Sequence, residues 1–241
     1  MKNISKIESQ FDTVVKRIGG VPLRELLDSK SPSFENADYL FPSENIITEL
    51  KILEKDPNTD GELQSKVQAK FDDWMAEGKL FVSGTEIIHS KDLSPEMQWE
   101  LMRIHSEPVK RVIKKANRQI RDTKAYLNRP HAQGHVIIVN EANRELQPEH
   151  LGFAAHQSLG RAFSSINGVS LLTINVGVTM PGVPSTLRLW MDYVRNDVPE
   201  IDKNFLLRFR KAWCDHYSQL IGEPVSLFEQ QKVNLSSMKY T

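Results

Sequence analysis

The chain predicts an α/β layer fold with a mixed sheet, on three observations. His135-Val136-Ile137-Ile138-Val139-Asn140 and Ser170–Val178 are runs short, apolar and β-branched enough to be buried strands. Two further strand-like segments, 38–41 and 45–53, flank Pro42-Ser43-Glu44-Asn45, which reads as the turn of a hairpin. Helical patterns separate and surround these runs, and alternation of strand and helix implies helices packed on a central sheet.

In chain order, Ile4, Ile7, Phe11, Val14, Val15 and Ile18 recur at helical spacing until Gly19-Gly20 ends the run. A short helix is expected over Pro22–Asp28, then a loop over Ser29–Asn36 with Pro32 and several serines. After the hairpin, Asp56-Pro57-Asn58-Thr59-Asp60-Gly61 breaks the chain. Glu62–Glu77 is a second amphipathic helix, with Leu63, Val67, Phe71 and Trp74 on one face. Lys79–Ile88 suggests a small hairpin, and Ser94-Pro95-Glu96 opens another helix, with Ser94 as cap and Pro95 at its first position. Val109–Leu127 is a long helix dense in Lys and Arg. Glu149–Ala162 and Asp202–Ile221 complete the helices, the last with Phe205, Leu206, Phe209, Trp213 and Tyr217 as its apolar positions, suited to a core more than to a dimer interface. Residues 181–202 carry no clear pattern. The organisation expected is a core over 1–53 and 103–241 with an acidic, mostly helical insertion over 54–102.

At 241 residues the chain can bury a proper core, and 39% apolar with 26% charged residues describes a globular composition. One cysteine, Cys214, excludes an internal disulfide and multi-cysteine zinc sites, and fits a reducing compartment. Neither a signal peptide nor an apolar run long enough to span a membrane is visible, so the cytoplasm is the expected location. Net charge is zero, yet it is segregated. Nine Lys or Arg stand against two acidic residues over 103–129, and eleven acidic residues against five Lys over 54–100. Such asymmetry suggests a polyanion for the basic part.

The charged residues inside the second hairpin strand need a reason, because an unpaired buried charge is costly. If residues 42–45 are the turn, cross-strand partners have numbers summing to 87, and Asp38 falls opposite Glu49. Side chains alternate faces along a strand, so Glu49 and Lys51 share a face with Asp38. Two carboxylates and an ammonium thus converge, as a catalytic divalent-cation site requires. Phosphodiester cleavage needs a hydroxide-like nucleophile and charge stabilisation on the phosphoryl oxygens, and hard cations held by carboxylates supply both. A lysine beside them stabilises developing negative charge.

The order of helix, hairpin with Asp38 and Glu49-Leu50-Lys51, basic helix, strand, helix and strand resembles the PD-(D/E)xK superfamily over about 1–53 and 103–180. The resemblance implies a restriction-endonuclease-like fold and a Mg²⁺- or Mn²⁺-dependent nuclease, with DNA the expected substrate. It implies Asp38 and Glu49 as metal ligands, the Leu50 main-chain carbonyl as a third, and Lys51 as the cation that orients the attacking water. Glu8 is the candidate for the carboxylate that many of these nucleases carry on the first helix. Gln119 is the candidate for a polar residue projecting from the basic helix toward the site. The sequence departs from the pattern in having Ala37, not proline, before Asp38. Nucleases of this kind often work as homodimers that cut both strands.

Other readings stay open. Glu-x-Lys spacing alone says little, since Asp122-Thr123-Lys124 has an equivalent spacing, and an edge strand with one wet face would also hold Glu49 and Lys51. Lys110, Lys114, Arg118, Arg121 and Lys124 form a stripe at three- and four-residue steps that could meet phosphates, or be a solvated face. A catalytically inactive nucleic-acid- or protein-binding module on the same fold is the alternative function, and an insertion that covers the basic helix is a third. His150 and His156, six apart, do not share a helical face as a zinc pair would. Neither a Gly-rich phosphate loop nor Gly-x-Ser-x-Gly is present.

Overall fold

The computed structural model describes residues 6–27, 35–53, 61–81, 92–141, 148–159, 163–174, 178–179, 188–195, 197–225 and 239–240. Helix α1 (Lys6–Arg17) turns its Ile7, Phe11, Val14 and Val15 inward. Gly19, at φ 88°, adopts the left-handed geometry that ends it. Strand β1 (Val21–Pro22) and the four-residue α2 (Leu23–Leu26) follow. The hairpin is β2 (Tyr39–Phe41) and β3 (Ile46–Leu53), and its turn places Asn45 at φ 53°, a conformation Asn tolerates better than most residues. Tyr39 pairs with Thr48, Leu40 with Ile47 and Phe41 with Ile46, which is the register the sequence predicts.

Helix α3 (Gly61–Ala76) precedes α4 (Pro95–Tyr126), which Ser94 caps by accepting from the Met97 N–H at 3.3 Å. Helix α4 is one unbroken helix of 32 residues. The boundary expected at 102–103 therefore falls inside it, and Pro108 is accommodated in its interior. The region before it has a small core of its own, built on Trp74, Leu93 and Met97. The hairpin expected over 79–88 lies largely outside the described residues.

Strand β4 (Gln133–Asn140), α5 (Pro148–Ser158) and β5 (Gly168–Thr173) come next. The strand expected over 170–178 is two: β5 ends at Thr173, and β6 (Val178–Thr179) pairs instead with β8 (Lys239–Tyr240). Between them, β7 (Trp190–Val194) pairs antiparallel with β5, in a stretch where the sequence shows no pattern. Helix α6 (Lys203–Ile221) is capped by Asp202, which accepts from the Asn204 N–H at 2.9 Å, and ends at Gly222 with φ 73°.

The main sheet runs β1-β2-β3-β4-β5-β7, with β3, β4 and β5 parallel and the outer pairings antiparallel. Parallel neighbours need crossovers, which α4 and α5 provide. One face, with Phe41, Ile46, Leu50, Ile137 and Leu172, packs on α1 and α6. Phe205, Phe209 and Trp213 of α6 are buried there, so this helix is core. The other face, with Leu40, Ile47, Val136, Ile138 and Leu171, packs on α4 and α5 through Val109, Ile113, Ile120 and Leu151. The protein is thus mixed α/β, a six-stranded mixed sheet between helices. No helix among the described residues is long and apolar enough to cross a membrane.

Candidate active site

Strand β2 stops pairing with β3 at Tyr39, and the site forms where that pairing ends. The Asp38 N–H still donates to the Thr48 carbonyl at 3.2 Å. Beyond it, the Asp38 side chain replaces backbone, with Oδ2 accepting from the Leu50 N–H at 2.8 Å. That bond brings the Leu50 main chain to the carboxylate while the Leu50 side chain joins the core on the α1/α6 side. Glu49 and Lys51, one residue to either side, face α4.

Glu49 is only 1% exposed. Its Oε1 accepts from the Lys51 ammonium in a close ion pair. Its Oε2 is buried with no N–H or ammonium donor, and its polar neighbour is the Asp38 carboxyl, with which it shares a hydrogen bond once either group carries a proton. Lys51 also donates to Gln119 Oε1 at 2.8 Å, and the Gln119 amide donates in turn to the Asn36 carbonyl at 3.0 Å. Gln119, 6% exposed, is the polar residue of α4 that projects into the site. The wet-edge alternative does not describe this arrangement, since β3 is an inner strand, paired on both sides, and Glu49 is buried.

Burial pushes the Asp38 carboxyl above the ordinary range, opposed by the Leu50 N–H and the Lys51 charge. Glu49 is raised well above that range, first by burial and next by the Asp38 charge, with Lys51 pulling the other way. Two carboxyls driven up together either share one proton across their hydrogen bond or gain from a positive charge placed between them. A hard divalent cation fits this donor set, since carboxylate oxygens are its preferred ligands.

The other expected residues are distributed as follows. Glu8, on α1, is near enough for its charge to push Asp38 up. It does not close a three-carboxylate cluster, however: among the described residues no group of three or more His, Cys, Asp or Glu could hold a metal. The basic stripe divides over two sides of α4. Lys110 lies 5.8 Å from the Phe153 ring centroid of α5, and Lys124 donates to the Ser165 carbonyl at 3.0 Å, half-buried, with burial lowering it to about 8. Lys114 is exposed, as is Arg121, which pairs with Asp122. Arg118 sits on the opposite flank, 3.4 Å from Glu35.

That flank holds two residues the sequence reading passed over. Lys115, four positions before Gln119, pairs with Glu35 at 3.0 Å. This bond holds the Glu35 carboxyl below its usual range, with Arg118 and Lys51 adding their charges. The four-residue step from Lys115 to Gln119 is the signal that could have placed it beside the site.

No protein-family description, curated protein or solved structure matches this chain, so the candidate site stands on its geometry.

Proposed function

We propose that the protein is a Mg²⁺- or Mn²⁺-dependent nuclease of the PD-(D/E)xK type, on a restriction-endonuclease-like fold, acting on DNA. The observation that carries this reading is the buried, adjacent Asp38–Glu49 carboxyl pair, both raised, with the Leu50 N–H on Asp38 and the Lys51 ammonium on Glu49. Asp38 and Glu49 would hold the cation with the Leu50 main chain, and Glu8 would lend negative charge from α1. A cation there would polarise the phosphoryl group and lower the pKa of a bound water, easing its deprotonation.

The remaining roles belong to the chain itself. Lys51 orients the attacking water and faces the charge that grows on the phosphoryl oxygens. Gln119, anchored to the Asn36 carbonyl, fixes the Lys51 side chain and limits its rotamers. Lys115 and Arg118 supply positive charge on the approach to the site. A homodimer would let two such sites address both strands of a duplex.

The second reading is a non-catalytic binding module on the same fold. The closed Glu49–Lys51–Gln119 contact favours it, because it satisfies one Glu49 oxygen from within the chain. Cleavage of linear, circular and single-stranded substrates with Mn²⁺ separates the two, with wild type beside Glu49→Ala and Lys51→Ala. The nuclease reading expects cutting by wild type that chelator and both variants abolish. Folded wild type that cuts none of the panel would leave the binding module.

A further inference from the structure

On α4, Trp99, Arg103, Lys110, Lys114 and Arg121 follow one another at steps of four, seven, four and seven residues. That spacing keeps all five on one side of the helix over about 33 Å. Phe153 of α5 joins this side, its ring edge-to-face with Trp99 at 5.7 Å between centroids and 89° between planes. The Arg103 guanidinium is 5.5 Å from the Trp99 centroid, and the Lys110 ammonium lies over Phe153. Trp99 is 49% exposed, and Arg103, Lys114 and Arg121 are exposed too. None of these residues takes part in the Asp38–Glu49–Lys51 site, which meets α4 through Gln119.

We propose that this strip is a binding track for single-stranded nucleic acid. Bases stack on the Trp99–Phe153 pair, and phosphates meet Arg103, Lys110, Lys114 and Arg121. The cations select a polyanion. The half-exposed rings select one whose bases have free faces, since a duplex keeps its bases stacked on each other and offers mainly phosphate. Stacking and phosphate contacts do not read the sugar, so DNA and RNA strands bind alike. Two carboxylates temper the charge of the track: Glu107, four residues after Arg103 and seven before Lys114, lies within the stripe 3.7 Å from Lys110, and Asp122 pairs with Arg121 at 2.9 Å. At stacked spacing 33 Å accommodates about ten nucleotides. On α4 the track lies about 140–180° around the helix from Gln119, so it is a binding surface separate from the Asp38–Glu49–Lys51 site and does not depend on the nuclease reading.

The test is fluorescence anisotropy of labelled dT and rU 15-mers and of a 15-base-pair DNA duplex, titrated with the full chain in EDTA. Wild type, Trp99→Ala and Lys114→Ala are compared, with folding checked by circular dichroism. Phe153→Leu carries the test if Trp99→Ala does not fold. The expected result is that both single strands bind wild type and lose roughly five- to a hundred-fold in affinity on Trp99→Ala, the effect of one lost base stack. Duplex affinity changes less than two-fold in that variant. Lys114→Ala weakens all three ligands and lowers the single-strand salt slope by about 0.7. The proposal is overturned if wild type fails to bind single strands, if Trp99→Ala binds them as wild type does, or if that variant loses duplex and single strand equally. Cleavage in Mn²⁺ without Trp99-dependent binding would sink the track and keep the nuclease. Trp99-dependent binding without cleavage would do the reverse.

Discussion

Lowering the pH from 7.5 to 4.5 should remove stability through one residue, His135. Its ring is 1% exposed on the α6 side of the sheet, in a polar row crossing four strands. Nε2 lies 2.8 Å from Ser170 Oγ, which donates to Asp192 Oδ1 at 2.5 Å, and Asp192 also receives the Trp190 indole N–H and pairs with Arg210. Since Ser170 gives its proton to Asp192, its oxygen accepts from His135 Nε2–H, which leaves Nδ1 unprotonated and accepting from Thr48 Oγ1–H at 3.5 Å. Burial lowers this imidazole from 6.5 to about 4, with the Asp192 charge only partly opposing. The unfolded chain therefore binds a proton between these values that the folded chain refuses. Stability is complete above about pH 6.5 and falls as pH drops toward 4, by about 2 kcal/mol at pH 5 and about 3 kcal/mol in full. Urea unfolding of wild type and His135→Gln at half-unit steps isolates this contribution, because other titrating groups are common to both. The variant should be less stable at pH 7.5 and approach wild type as pH falls. Curves that stay parallel across the range would refute the reasoning.

Three further outcomes follow from the same structure. Glu49 has a raised folded-state pKa, so its contribution is favourable below its ordinary value of 4.5 and is lost as pH rises through the folded value. Glu49→Gln should therefore raise the melting temperature at pH 8 in EDTA, by about 2–4 °C for each kcal/mol recovered, even as it removes activity; a lower melting temperature would count against the buried carboxylate pair. Mn²⁺ at a hundred times its dissociation constant should stabilise wild type by about 2.7 kcal/mol and leave Asp38→Asn with Glu49→Gln unmoved in thermal denaturation; equal shifts would place the ion elsewhere. Gly134→Ala should cost upwards of about 3 kcal/mol, because a Cβ there would lie 1.9 Å from the Ser165 carbonyl oxygen and the neighbour is backbone; denaturant unfolding near that of wild type would contradict the approach of that loop to β4.

The hairpin was legible because everything that sets it is local. Alternation over 46–53 and a turn at 42–45 determine the register, and the register alone puts Asp38, Glu49 and Lys51 on one face. Gln119 lies 68 positions from Lys51, and only its phase on α4 relative to Val109, Ile113 and Ala116 ties the two together. The change of charge near 102 suggested a boundary there, yet α4 runs through that point from Pro95 to Tyr126. Strand β7 was invisible because Asp192 faces the protein interior, and a lone sequence cannot show that Ser170, Trp190 and Arg210 await it there. Lys124 counts as one more surface cation until the Ser165 carbonyl is seen to hold it half-buried. The Glu35–Lys115 pair joins segments 80 positions apart in the chain and had no local pattern to announce it.

The parallel pairing of β3 with β4 has a consequence for how the chain is made. Thr48 meets His135 across the sheet, and the two are 87 positions apart. A ribosome adding about 5–20 residues per second exposes the hairpin on the order of ten seconds before its parallel neighbour exists. In that interval an isolated two-stranded hairpin is marginal in water, and the β3 edge that will meet β4 has no partner. Arrival of β4 and α4 is what drives Glu49 out of water. Charged side chains and short strands are among the features that blunt an unpaired edge, so Glu49 and Lys51 would also disfavour pairing with other chains before β4 arrives.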